Sequence, residues 1–176
     1  EPTPETREME RDVEEMERML EAFLDFVRGE AGEEPEPLDP VALADEVADD
    51  ARRNGVEILH RQQVLAAAER EMALRRSAIK RCLANLVDNA VRHGTEVRLT
   101  TRLGARALDY VVEDDGPGIP PERREEVLRP FTRLDASRNR DAGSGVGLGL
   151  SIALDIARSH GGALALDESP ALGGLR

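Results

Sequence analysis

Three short stretches of the 176-residue sequence carry side chains whose type and spacing suit ligand chemistry. The first reads Asn85-Leu-Val-Asp-Asn89-Ala-Val-Arg92-His93. Asn85 and Asn89 are four residues apart, so on a helix they share a face, while Leu86, Val87 and Ala90 fall on the opposite, core-facing side. An amide oxygen is a hard, neutral ligand suited to Mg2+, an ion that keeps several waters and is usually shared with substrate phosphates.

The second stretch, Val111-Val-Glu-Asp114-Asp115-Gly116-Pro117-Gly118-Ile119-Pro120, is an apolar strand that ends in carboxylates and two glycines. A carboxylate fixed at a strand end can accept a hydrogen bond from the exocyclic amino group of adenine, and glycines let the backbone approach the ring. The third, Gly143-Ser-Gly145-Val146-Gly147-Leu148-Gly149-Leu150, opens a helix. Free N–H groups and the helix dipole favour an anion there, and Arg133, Arg138 and Arg140 stand just upstream. No strand precedes these glycines, as a dinucleotide fingerprint requires, and none is followed by Lys and Ser/Thr, as in a P-loop. Taken singly each stretch is ambiguous: an Asn pair also suits a polar helix face, and Asp-Asp-Gly-Pro-Gly is also a turn.

These stretches need elements to hold them. Ile79, Leu83, Leu86, Val87 and Ala90 keep helical spacing and predict a helix from about 77 to 92. Residues 95–103 and 105–114 predict a hairpin around Gly104, 121–128 a short helix, 129–146 an irregular loop, and 147–159 a helix stopped at His160-Gly161-Gly162, where His160 suits a C-cap. Upstream, Asp39-Pro40 starts a helix that Asn54-Gly55 ends, residues 56–59 and 64–68 read as strands, and a last strand is predicted over 163–167. Residues 28–40, rich in Gly, Pro and Glu, read as a linker. Before it, Met9, Val13, Met16, Leu20, Phe23 and Val27 alternate steps of four and three, a heptad seam for a helix with Thr3 and Pro4 at its start.

Composition narrows the rest. Aromatic residues make up 2% of the chain, so the core must be built from Leu, Val, Ile and Ala. The net charge of −12 is uneven: residues 1–50 hold 4 Arg against 19 Asp/Glu (−15), leaving 20 Lys/Arg against 17 Asp/Glu (+3) in residues 51–176. Without a basic stripe, no nucleic-acid partner is expected. The lone Cys82 excludes an internal disulfide and a cysteine-built zinc site. No apolar run approaches the ~18 residues of a membrane span, so the chain is expected to be soluble.

In this order and spacing the three stretches resemble the N, G1 and G2 boxes of the Bergerat-fold (GHKL) ATPases, and Arg129-Pro-Phe131 resembles the F box of histidine kinases. That likeness covers roughly residues 36–176. Residues 1–28 resemble the second helix of the kinase dimerisation bundle, and the whole is similar to sensor histidine kinases of the osmosensor, EnvZ-like type.

The resemblance implies a Bergerat α/β sandwich, a mixed sheet covered on one face by helices, preceded by one long helix. Residues 1–28 would be the bundle helix, 29–38 a linker, and 39–176 the ATP-binding domain with its C-terminal strand cut short. It implies ATP and Mg2+ as ligands. Asn89 would coordinate the metal with Asn85 assisting, and Arg92 would meet phosphate with His93 beside the nucleotide. Asp114 would read adenine, with Gly116, Gly118 and Ile119 shaping its pocket. Arg133, Leu134, Gly145, Val146, Gly147, Leu148, Gly149 and Leu150 would close over the phosphates, with Asn85, Asn89 and Arg133 as the catalytic candidates.

The related gyrase and chaperone enzymes place a Glu four residues before the metal Asn, as a base for water; here that position is Asn85. An amide cannot take that proton, so transfer to another protein is expected over hydrolysis. The family's acceptor histidine is absent, since His60, His93 and His160 all fall elsewhere. The implied setting is the cytoplasmic portion of an inner-membrane sensor kinase that binds ATP/ADP, is a homodimer when intact, and relays phosphate to an OmpR-like response regulator. An anti-sigma-type serine kinase and a non-catalytic dimerisation module of the same fold are the alternatives.

Overall fold

The computed structural model describes residues 6, 9, 13, 16–17, 32–65, 68–105, 107–132 and 147–176. In chain order these form β1 (Glu36–Leu38), α1 (Pro40–Arg53), β2 (Ile58–Val64), β3 (Met72–Leu74), α2 (Arg76–His93), β4 (Val97–Leu103), β5 (Leu108–Asp114), a 3-10 turn (Pro121–Arg123), α3 (Arg124–Val127) and α4 (Gly149–Ser159). β2, β4 and β5 make one sheet, with β2 parallel and β5 antiparallel to the central β4. β1 and β3 pair antiparallel as a separate ribbon.

Strand alternation decides which face is covered. Val97 and Leu99 on β4 and Ile58 on β2 point to one side, where they meet Leu43 and Val47 of α1, Ile79, Leu83 and Val87 of α2, and Ile152 and Ile156 of α4. Leu108, Tyr110 and Val112 of β5 complete that layer. The core is aliphatic, as the composition requires, and the fold is the expected α/β sandwich. Tyr110 is the aromatic exception, and its hydroxyl donates to the carbonyl of Pro40 (2.8 Å).

α1 begins as its sequence predicts. Asp39 accepts from the N–H groups of Val41 (2.8 Å) and Ala42 (3.3 Å), with Pro40 in the first turn and Asn54 as C-cap. α2 exceeds the predicted span by one residue at each end. Cys82 is largely buried on it, 3.7 Å from the Ala153 carbonyl, and burial pushes its thiol up to about 11.

Three expectations need correction. Among the described residues of 56–68 there is one strand, β2, instead of two: its polar centre, His60-Arg-Gln-Gln63, sits on a sheet edge, and the strand pairs along its whole length with β4. His60 therefore lies inside that strand, its side chain buried between Asp45 (2.6 Å) and Thr101 (2.8 Å), where it ties α1 to the sheet. Residues 36–38, given to the linker by composition, form β1. Residues 163–167 form no strand; Asp167 bonds reciprocally with Arg176 and Glu168 bridges Leu175, which leaves 163–166 without a ladder among the described residues.

Of the predicted heptad helix only Thr6, Met9, Val13, Met16 and Glu17 are described; they are helical and exposed. Leu20, Phe23 and Val27 lie outside the described residues. Among the described residues no helix is long and apolar enough to cross a membrane.

Candidate nucleotide-binding site

α2 is the rod on which the site is assembled. Asn85, Asn89 and His93 stand one turn apart on a single face. At one end of this row, Gly149 at the start of α4 lies against Asn85; a Cβ added there would stand 3.5 Å from Asn85 Oδ1. At the other end, Gly116 lies against the backbone of His93, so close that a Cβ would fall 2.6 Å from its carbonyl oxygen. Asn89 is one turn from each contact. The helix thus brings the start of α4 and the end of β5 to one face, although 33 residues of sequence separate Gly116 from Gly149.

Asn85 and Asn89 are half-buried, and among the described residues neither side chain makes a hydrogen bond. Arg92 and His93 are exposed at the helix end. The neighbouring Asp88 carboxyl is raised by burial, against the opposing charge of Arg92. Among the described residues no three His, Cys, Asp or Glu side chains gather as a metal cage. Asn85 and Asn89 present two neutral amides on this face, a ligand type that suits an ion taking its other ligands from phosphate and water.

Asp114 closes β5 and is buried, with 3% exposure. Its Oδ1 accepts from the N–H groups of Gly116 (2.9 Å) and Leu175 (3.1 Å), while its backbone bonds to Leu175 and Gly174. The carboxylate is held by the C-terminal segment as well as by its own turn. Gly118, with φ +68, lies beside Gly174, and Ile119 is half-buried with its carbonyl accepting from Arg124 (3.2 Å).

Asp115, which reads in sequence as part of a turn, clamps the turn between α2 and β4 to the end of β5. Its carboxylate accepts from the backbone of Glu96 (2.9 Å) and from the hydroxyl (2.8 Å) and backbone (2.6 Å) of Thr95. Those bonds, from Glu96 first, hold its pKa at about 2 instead of 3.8. A depressed folded-state pKa adds stability that is complete above about pH 4 and is lost as pH falls toward about 2. Asp115→Asn should therefore flatten the decline in stability over that interval, read as urea midpoints at successive pH values; an unchanged slope would show that the clamp does not form.

At the start of α4, Phe131 donates its N–H to the Gly147 carbonyl (2.9 Å), which joins the two ends of the intervening segment. Leu148 is buried in the core, and its carbonyl accepts from Ile152 (2.9 Å) and the Ser151 hydroxyl (2.8 Å). Leu150 is half-buried. Arg133, Leu134, Arg138, Arg140, Gly145 and Val146 lie outside the described residues. Sequence reasoning missed Gly174, Leu175 and Thr95; the Gly173-Gly174 pair was the one signal available for the C-terminal contact.

Comparison with known proteins gives the chain's family. The model of the family described as histidine kinase-, DNA gyrase B-, and HSP90-like ATPase matches residues 75–175. Sensor histidine kinase GtrS of Pseudomonas aeruginosa is 35% identical over 167 residues, which is 94% of this chain and 33% of that protein. The solved histidine kinase domain of the Escherichia coli osmosensor EnvZ is 35% identical, with TM-score 0.58 over 82% of this chain and 87% of that one. The mycobacterial sensor histidine kinase MprB is 30% identical, with TM-score 0.61 over 78% and 88% of the two chains. The chain spans about a third of the length of the curated relative.

Proposed function

The chain belongs to the family of histidine kinase-, DNA gyrase B- and HSP90-like ATPases, as an ATP-binding catalytic domain of the bacterial sensor histidine kinase kind, and from that premise we propose that it binds Mg·ATP and passes the γ-phosphoryl group to a histidine of a dimerisation bundle. The observation that carries this reading is the row Asn85, Asn89, His93, with Gly149 at one end and Asp114–Gly116 at the other.

Asp114 would accept from the adenine amino group while Gly116, Gly118 and Ile119 shape the base pocket. Asn89, with Asn85, would hold Mg2+, which neutralises charge on the β- and γ-phosphates. Arg92 and the free N–H groups at the start of α4 would orient the phosphates, with Arg133, Leu134, Gly145 and Val146 closing over them. Asn85 offers no base for water, so the γ-phosphate would stay intact until a protein acceptor arrives. In the intact protein, the partners would be a second copy and an OmpR-like response regulator, at the cytoplasmic side of an inner membrane.

Calorimetry with Mg·ATP and labelling with γ-labelled ATP test this. The chain is expected to bind the nucleotide and to gain no acid-labile phosphohistidine alone, because its 3 histidines are His60, His93 and His160. A separately supplied histidine-bearing helix hairpin should become labelled. Absence of nucleotide binding would end the kinase reading, and label on serine would favour the serine-kinase alternative.

A further inference from the structure

α1 and α2 begin differently. α1 has a local cap in Asp39, but the cap position of α2 is Arg75, whose side chain makes no capping bond. The first N–H groups of a helix have no intrahelical acceptor, and a Ser, Thr, Asp or Asn at the cap usually supplies one for the second or third. In α2 those two belong to Ser77 and Ala78. Both are satisfied from far upstream: Glu33 Oε1 accepts from the Ser77 N–H (2.7 Å) and Glu33 Oε2 from the Ala78 N–H (3.2 Å). Partial burial raises the Glu33 carboxyl, but the bonds from Ser77 and Ala78 and the charge of Arg75 outweigh it and hold it below its usual value.

Two further contacts make this corner a junction. β1 runs antiparallel to β3, with Glu36 opposite Leu74, so residues 33–38 lie along the chain that leads into α2. Arg75 also reaches α4: its guanidinium donates to the Ser159 hydroxyl (2.5 Å) and its N–H to His160 Nε2 (3.3 Å), while His160 Nδ1 donates to the Ile156 carbonyl (2.8 Å). The ends of α2 and α4 that point away from the nucleotide clusters therefore meet here. Asn89 lies about 18 Å further along α2, at ~1.5 Å per residue.

We propose that Glu33 is a positioning residue, a latch that fastens the chain entering the domain to the shared distal end of the two helices that carry Asn85, Asn89 and Gly149. By composition Glu33 falls in the linker. The latch makes residues 33–38, the last part of that linker, a fixed approach to the domain. Its value for phosphoryl transfer rests on the reading above; its geometry does not.

The test uses the 176-residue chain without nucleotide, as wild type, Glu33→Ala, and Glu33→Ala combined with Arg75→Asp. Arg75 already has the extended backbone of a cap residue, so aspartate there can bond Ser77 and Ala78 locally. Amide exchange at those two residues reads the cap, and the rate of subtilisin cleavage within residues 29–36 reads the tether. Glu33→Ala should lower protection of both amides by about tenfold and speed cleavage. Arg75→Asp should restore protection and leave cleavage fast. Unchanged protection in Glu33→Ala, or recovery of both readouts in the double variant, overturns the latch. Mg·ATP binding by the wild type is measured separately, so failure of the kinase reading shows there and not in exchange.

Discussion

Asp114→Asn is expected to weaken ATP binding by about 1–3 kcal/mol, roughly fivefold to 150-fold, and to move preference toward GTP. The substitution is nearly isosteric, so the loss has to come from which atoms donate and which accept. Asp114 Oδ1 already receives two backbone N–H groups, from Gly116 and Leu175. Asparagine must keep its carbonyl oxygen on that side, because an NH2 there would confront two donors. Its amide nitrogen then takes the place of Oδ2, which has no partner among the described residues and is the atom left to read a base. Adenine presents an amino donor at its exocyclic position and guanine a carbonyl acceptor, so the variant meets ATP with two opposed donors and GTP with a donor and an acceptor. Calorimetry with both nucleotides decides. Asp114→Ala serves as control, expected to lose ATP affinity without gaining GTP. Unaltered ATP affinity in the asparagine variant would remove Asp114 from the adenine site.

What could be read in advance depended on how local its cause is. α2 was legible because its apolar residues repeat at helical spacing over about three turns, and α1 because Asp39-Pro40 and Asn54-Gly55 are start and stop signals carried by adjacent residues. The hairpin of β4 and β5 announced itself by alternation around Gly104. β1 and β3 did not, because three residues are too few to show a period and Pro37 argues against a strand unless a ribbon edge accepts it. β2 was misread because its exposed edge tolerates His60-Arg-Gln-Gln63, so its apolar residues do not alternate with polar ones. For the candidate site, Asn85, Asn89 and Asp114 were nominated by residue type. Their supports were not, since Leu175 reaches Asp114 across 61 residues and Glu33 reaches Ser77 across 44. No composition or spacing encodes a hydrogen bond between a backbone N–H and so distant a carboxylate. It exists because the sheet and α2 bring the segments together.

The C-terminal support makes the second large effect. Gly174 is buried and donates its N–H to the Asp114 carbonyl (3.1 Å). A Cβ at that position would collide with the Asp114 carbonyl oxygen and carboxylate and stand 2.5 Å from the Gly116 nitrogen. Two of these three atoms are backbone, so no rotamer change relieves the clash; residues 173–175 must move away from β5. That shift also withdraws the Leu175 N–H from Asp114 Oδ1, and the carboxylate loses one of the two bonds that aim it. Gly174→Ala should therefore cost about 1–3 kcal/mol of stability, as overpacking of a close-packed site does. It should also weaken Mg·ATP binding by roughly tenfold or more at temperatures where the variant remains folded. Gly161→Ala separates steric from conformational cost: Gly161 has φ +73 with nothing within 4 Å of an added Cβ. Its replacement should cost only backbone strain, about 1 kcal/mol, and leave nucleotide affinity unchanged. If both variants lose stability equally and both still bind Mg·ATP as the wild type does, the C-terminal segment does not position Asp114. If only Gly174→Ala loses affinity, the Asp114 carboxylate is positioned both by its own turn and by residues about 60 positions away.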